Sequence, residues 1–312
     1  MKALYKMLFL GYSNIKMREG RRMKKYIGIL GLLTVAVIWG TGFVATAVAL
    51  DNYTPFQILA IRFTVAFLIL LGMNITKIKT ISKKSFKRGS LLGVFLFLAF
   101  AFQTVGLQFT TPSKNAFLTA VNVIIVPFLG FLIFKKKVPI KGVVGSFVTL
   151  IGIALLSLTS SLGGINLGDM LTLVCAVFFA LQIFVTDFFV DEEETWVLML
   201  LQMGSAAALS WLTIFITGEG LPSIKMETVF PVLYLGIAST LIAYFLQTAS
   251  QKYTTSSQAA VILSTEAFFG MLGSVLLLGE KVSINMLIGS IFIFIGILIV
   301  ELDIPQFAKK QG

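Results

Sequence analysis

The sequence predicts an all-α integral membrane protein of ten transmembrane helices, arranged as two five-helix halves of inverted topology. Three observations carry this. Charge is scarce: 57% of the 312 residues are hydrophobic, 12% are charged, and the mean hydropathy is +0.95. A soluble domain carries about 25% charged residues, so lipid must be the solvent for most of this surface. The apolar residues also fall into long runs with short links. Finally, the chain repeats itself at a fixed offset.

A spanning helix needs about 20 mostly apolar residues. Ten such runs follow one another: 26–50, 55–73, 89–109, 115–134, 140–160, 167–190, 195–217, 228–250, 257–278 and 284–302. Ahead of them, residues 1–25 hold eight basic residues and an apolar patch too short to span. This reads as a basic cytosolic tail, unless translation starts at Met17 or Met23. Residues 303–312 read as a second cytosolic tail.

Lys and Arg set the orientation. With the N-terminus in the cytosol, 21 basic residues fall in the tails and inside loops. Only Lys114, Lys225 and Lys281 fall outside, and Arg62 lies within a span. Both termini are therefore expected in the cytosol. The acidic run 191–194 dissents, but acidic residues weigh little in this rule.

At an offset of 144 residues, Gln103-Thr104 falls on Gln247-Thr248, and Lys137-Val138 on Lys281-Val282. Gly145-Ser146 falls on Gly289-Ser290, and Ile151-Gly152-Ile153 on Ile295-Gly296-Ile297. Over 51 ungapped positions 15 are identical. The halves are assigned to 26–160 and 161–302. Each has an odd number of spans, so the second copy must cross the membrane upside down.

Composition also excludes chemistry. There is no His and one Cys, Cys175, so an internal disulfide, a His-dependent triad and a clustered zinc site are ruled out. No catalytic residue, metal site or cofactor is expected. The net charge of +11 sits in loops rather than on one basic face, which argues against nucleic acid.

Several motifs, in order, resemble the EamA type of the drug/metabolite transporter superfamily. They are Trp39-Gly40-Thr41-Gly42-Phe43, Ala60-Ile61-Arg62-Phe63, Gly168-Asp169 and Leu277-Leu278-Gly279-Glu280-Lys281. The likeness covers about residues 26 to 302. It departs at Lys135-Lys136, where Gly-Glu is usual, and at Pro127, matched by Met271 in the other half. The resemblance implies a bacterial inner-membrane carrier that exports amino acids, related metabolites or drugs, driven by gradients. No Walker-type loop is present, in agreement.

Seven residues are candidates for the substrate site: Arg62, Glu266, Gln103, Gln247, Asn122, Trp39 and Tyr244. A charge at mid-membrane costs about 2.5–3.5 kcal/mol and so marks a cavity or an internal pair. Arg62 reads either as a carboxylate or phosphate clamp or as half of a structural ion pair. Glu266 is the candidate for proton coupling or amine binding, or else bridges helices; Asn122 is its counterpart in the first half. Gln103 and Gln247 line a pathway or bond between helices. Trp39 and Tyr244, with Phe43, Phe100 and Phe179, are candidates for an aromatic wall. The expected partners are a small molecule and the bilayer, with no oligomeric state assigned. Two other classes stay open: an embedded enzyme acting on lipid-linked substrates, and an accessory subunit without flux of its own.

Overall fold

Several helices begin where side chains can satisfy the first free N–H groups. Thr54 and Gln57 form a reciprocal capping box, with Pro55 at the first helical position. Thr255 with Gln258, and Asn166 with Asp169, do the same elsewhere. The computed structural model describes residues 2–135, 140–157, 166–223, 226–281 and 283–301. The expected tail 303–312, Lys136, Lys137 and Lys225 lie outside the described residues.

The described chain is all helical. In order come α1 (Lys2–Leu50), α2 (Pro55–Asn74), a 3₁₀ turn (Ile75–Thr80), α3 (Lys83–Leu107), α4 (Pro112–Thr119), α5 (Asn122–Phe134) and α6 (Ile140–Ser157). Then follow α7 (Leu167–Phe189), α8 (Thr195–Thr217), α9 (Val229–Gly236), a π segment (Ile237–Ile242), α10 (Ala243–Gln251), α11 (Ser256–Leu263), α12 (Glu266–Leu278) and α13 (Ile284–Glu301). Among the described residues, 8 helical stretches are long and apolar enough to cross a membrane. Parts of α6 and α13 are shorter apolar helices. Large side chains such as Phe215, Phe230 and Leu276 point outward, as a lipid-facing surface requires.

Three of the expected continuous spans are interrupted. The runs 115–134 and 257–278 each divide into two helices, α4/α5 and α11/α12, and the two breaks match in detail. At the first, Val121, Val123 and Ile124 donate to carbonyls three residues back; at the second, Thr265, Ala267 and Phe268 do so. These positions are 144 residues apart. Ser264 and Thr265 hydroxyls also bond to carbonyls three residues back, at 2.7 Å each, which competes with the α-helical ladder. Pro127 in α5 cannot donate to Val123, and the Ser146 hydroxyl supplies a bond to that carbonyl at 3.2 Å. The third interruption is the π segment inside the run 228–250.

One difference between the halves has an energetic consequence. Helix α12 ends at Gly279 in the left-handed region (φ 70°), and α5 ends in the same way at Lys135 (φ 51°). A left-handed L residue costs about 1–2 kcal/mol, partly offset because Gly loses more entropy on folding. Lys135→Gly is expected to stabilise the protein by about 0.5–1 kcal/mol, read as a raised unfolding midpoint in micelles. A lowered midpoint would refute this.

Helix α3 packs between α7 and α8, α2 lies along α8, α1 lies along α12, and α6 pairs with α13. Gly40 permits the α1–α12 contact: a Cβ there would lie 2.5 Å from Phe269 Cβ. One apolar cluster gathers Leu32, Phe117, Ile183 and Met271; a second gathers Phe63, Phe100, Met199 and Tyr244.

The acidic run 191–194 has a local explanation. Glu192 pairs with Lys84 at 2.9 Å and Arg88 at 2.5 Å, and Glu193 pairs with Arg88 at 2.9 Å. The loop thus lies beside the basic start of α3. The Lys84 hydrogen bond, then Arg88, pulls the Glu192 carboxyl down to about 2.

Candidate functional site

A narrow cavity, with about 30 Å³ of free space, lies where the interruptions meet. The breaks put Asn122 at the start of α5 and Glu266 at the start of α12, and both line it. Each is therefore carried at the N-terminal, partially positive end of a half-helix. Glu266 is 5% exposed and makes no ion pair among the described residues.

The π segment forms the opposite support. Its widened turn leaves the Ser239 carbonyl to accept from Trp39 Nε1 at 2.9 Å. Thr240 Oγ1 donates to the Leu235 carbonyl at 2.7 Å and accepts from Arg62 Nε at 2.8 Å. Arg62 Nη2 reaches Ser239 Oγ at 3.4 Å. The guanidinium stacks over Phe100, 3.9 Å from the ring centroid. It is 2% exposed, and no acid pairs with it among the described residues. The internal ion-pair reading of Arg62 therefore finds no partner among the described residues.

Aromatic rings shape the wall. Phe100 meets Phe179 edge-on at 5.1 Å and Tyr244 at 6.1 Å, and Trp39 lies 4.8 Å from Tyr244. Gln103 donates to Thr119 Oγ1 at 3.0 Å. Asn115 donates to Thr172 Oγ1 at 2.8 Å and to the Gln103 carbonyl at 3.2 Å. Four polar atoms at the cavity are buried without a partner among the described residues: Thr104 Oγ1, Asn115 Oδ1, Asn122 Oδ1 and Tyr244 OH. Buried polar groups are normally paired, so these suit a polar guest.

Six of the seven candidate residues line this one cavity: Arg62, Glu266, Gln103, Asn122, Trp39 and Tyr244. Gln247 does not. It is fully buried behind the wall and donates to Gln182 Oε1 at 3.1 Å; Gln182, which sequence reasoning missed, faces the cavity instead. Asn115 and Ser239 were also missed. A polar side chain within an apolar run was the available signal for all three, but it does not say which face the residue occupies.

The EamA-like transporter family model matches residues 26–158 and again 166–302. The chain belongs to the EamA-like transporter family. It is a multi-pass membrane protein, and the family and its named relatives are transporters rather than enzymes. An uncharacterized transporter of Archaeoglobus fulgidus is 32% identical over 95% of this chain and 92% of its own length. A probable amino-acid metabolite efflux pump of Salmonella typhimurium is 26% identical over 89% of this chain and 95% of its own length. The Escherichia coli protein of the same description is also 26% identical, with 89% and 95% covered. A crystal structure with 18% identity superposes with a TM-score of 0.71, covering 88% of this chain and 96% of the other, which shows the shared fold.

Proposed function

We propose that this EamA-like transporter exports small zwitterionic metabolites of the amino-acid class by alternating access. The observation that carries the reading is Arg62: a buried guanidinium at a cavity, with no acid paired to it among the described residues. A carboxylate fits its planar fork. Glu266 faces the same cavity and suits the substrate's ammonium group or a coupling proton. The names of the efflux-pump relatives favour the same substrate class.

In this reading the two halves, 26–160 and 161–302, are inverted repeats of five spans each that rock about the central site. The matched breaks before Asn122 and Glu266 support the pairing. The excess of basic residues on one side supports a plasma-membrane orientation with both tails in the cytosol. Arg62, Glu266, Gln103, Asn122, Trp39 and Tyr244 form the substrate site, with Gln247 holding Gln182 in place.

The test is flux of labelled amino acids from liposomes holding the purified protein, with and without a pH gradient. Wild type is expected to move at least one amino acid faster with the gradient. Glu266→Gln is expected to lose that acceleration. Equal acceleration in Glu266→Gln would remove the proton role, and absence of amino-acid flux in wild type would overturn the substrate class.

A further inference from the structure

A second hollow, with about 620 Å³ of free space, opens away from the central cavity, between the later turns of α2 and the early turns of α8. Phe67 and Leu71 form one wall, Leu200 and Ala208 the other, and Ile78 and Phe86 flank its end. Gly204 lets the Phe67 ring pack closely against α8 at its floor: a Cβ there would lie 2.9 Å from the ring. From Leu200 to Ala208 the slot follows α8 for about 12 Å.

The end of this apolar slot is strongly basic. The 3₁₀ turn carries Lys77 and Lys79, and α3 opens with Lys83 and Lys84. Lys84 and Arg88 are engaged by Glu192 and Glu193. Lys77, Lys79, Lys83 and Lys87 are exposed and form no ion pair among the described residues, and Lys83 lines the slot itself. Ser82 caps α3, so the positive end of that helix points the same way.

We propose that this groove binds one anionic phospholipid, with an acyl chain between α2 and α8 and the phosphate at Lys83 and Lys87. The chemistry selects that occupant. A soluble phosphate makes no use of a slot walled by Phe67, Leu71 and Leu200. A zwitterionic lipid gains less from a slot whose one charged lining residue is Lys83. Basic residues at a membrane surface attract anionic headgroups by about 1 kcal/mol each, or about 5-fold in affinity per lysine.

The experiment is native mass spectrometry of the full-length protein in micelles, titrated with phosphatidylglycerol or phosphatidylcholine of the same chains. Wild type is expected to hold one phosphatidylglycerol at least about 10-fold more tightly than phosphatidylcholine. The double variant Lys83→Gln, Lys87→Gln changes only exposed side chains. It is expected to weaken the phosphatidylglycerol site about 25-fold and leave phosphatidylcholine unchanged. Glycerol phosphate, which lacks the chains, should not displace the lipid. Equal retention of both lipids by wild type, an unchanged double variant, or displacement by glycerol phosphate would each overturn the proposal. None of these outcomes depends on which solute the central cavity carries.

Discussion

Arg62→Ala is expected to reduce amino-acid flux at least about 30-fold while leaving the protein folded. Removing one partner of a buried, hydrogen-bonded charge pair costs about 2–5 kcal/mol, and the lower figure already corresponds to that factor. Here the second partner is the substrate's carboxylate. The fold has less at stake. Among the described residues Arg62 hydrogen-bonds Thr240 and Ser239, and Thr240 keeps its bond to the Leu235 carbonyl without it. A buried cation with no paired acid is also a cost to stability. Unfolding midpoint and flux should therefore separate, with the midpoint little changed and the flux lost. Arg62→Lys retains charge but not the bidentate fork, so a partial recovery appearing as a raised KM is expected. Wild-type flux in Arg62→Ala would sink the clamp. A collapse of the midpoint in both variants would mean that Arg62 is structural.

The second large effect lies at Asp169. Its carboxylate pairs with Lys114 at 2.6 Å, accepts from Thr110 at 3.0 Å and caps its own helix through the Asn166 N–H at 2.9 Å. Asp169 is 1% exposed and Lys114 6%. Breaking such a pair from one side costs about 3–5 kcal/mol, because the other charge stays buried. Asp169→Asn is expected to reach that range, since it strips the ammonium of its carboxylate and weakens the cap of α7. Lys114→Met should cost less: Asp169 would keep Thr110, Asn166 and the favourable end of the helix dipole. The double variant should recover at least half of the Asp169→Asn loss. Reversible unfolding in mixed micelles would measure all three. An Asp169→Asn protein within about 0.5 kcal/mol of wild type would show that the bridge contributes little.

Much of the candidate site was legible before any fold was known, because an ionisable or amide group in an apolar run is expensive unless it faces polar company. That argument picks out Arg62, Glu266, Gln103 and Asn122 without coordinates, and these line one cavity. It fails for Gln247 and Gln182. Both are amides in apolar helices, and only the rotation of each helix about its axis decides which one sees the cavity. It fails also for the breaks at residues 119–122 and 263–266, which sit inside long apolar runs while the hydrogen-bond ladder tightens.

By itself, the sequence determined that lipid is the solvent, that the chain is a succession of helices, and that its halves are related. These follow from composition, from run length and from identity at a fixed offset, which need no neighbours to evaluate. Only the tertiary structure decided that Arg62 sits beside the π segment with no acid paired to it among the described residues. It alone set Glu266 at the start of a half-helix, and matched the acidic loop 191–194 to Lys84 and Arg88. Those outcomes depend on which side chains meet across helices far apart in the chain. Close packing of small residues such as Gly40 against Phe269 sets that register, and no local pattern encodes it.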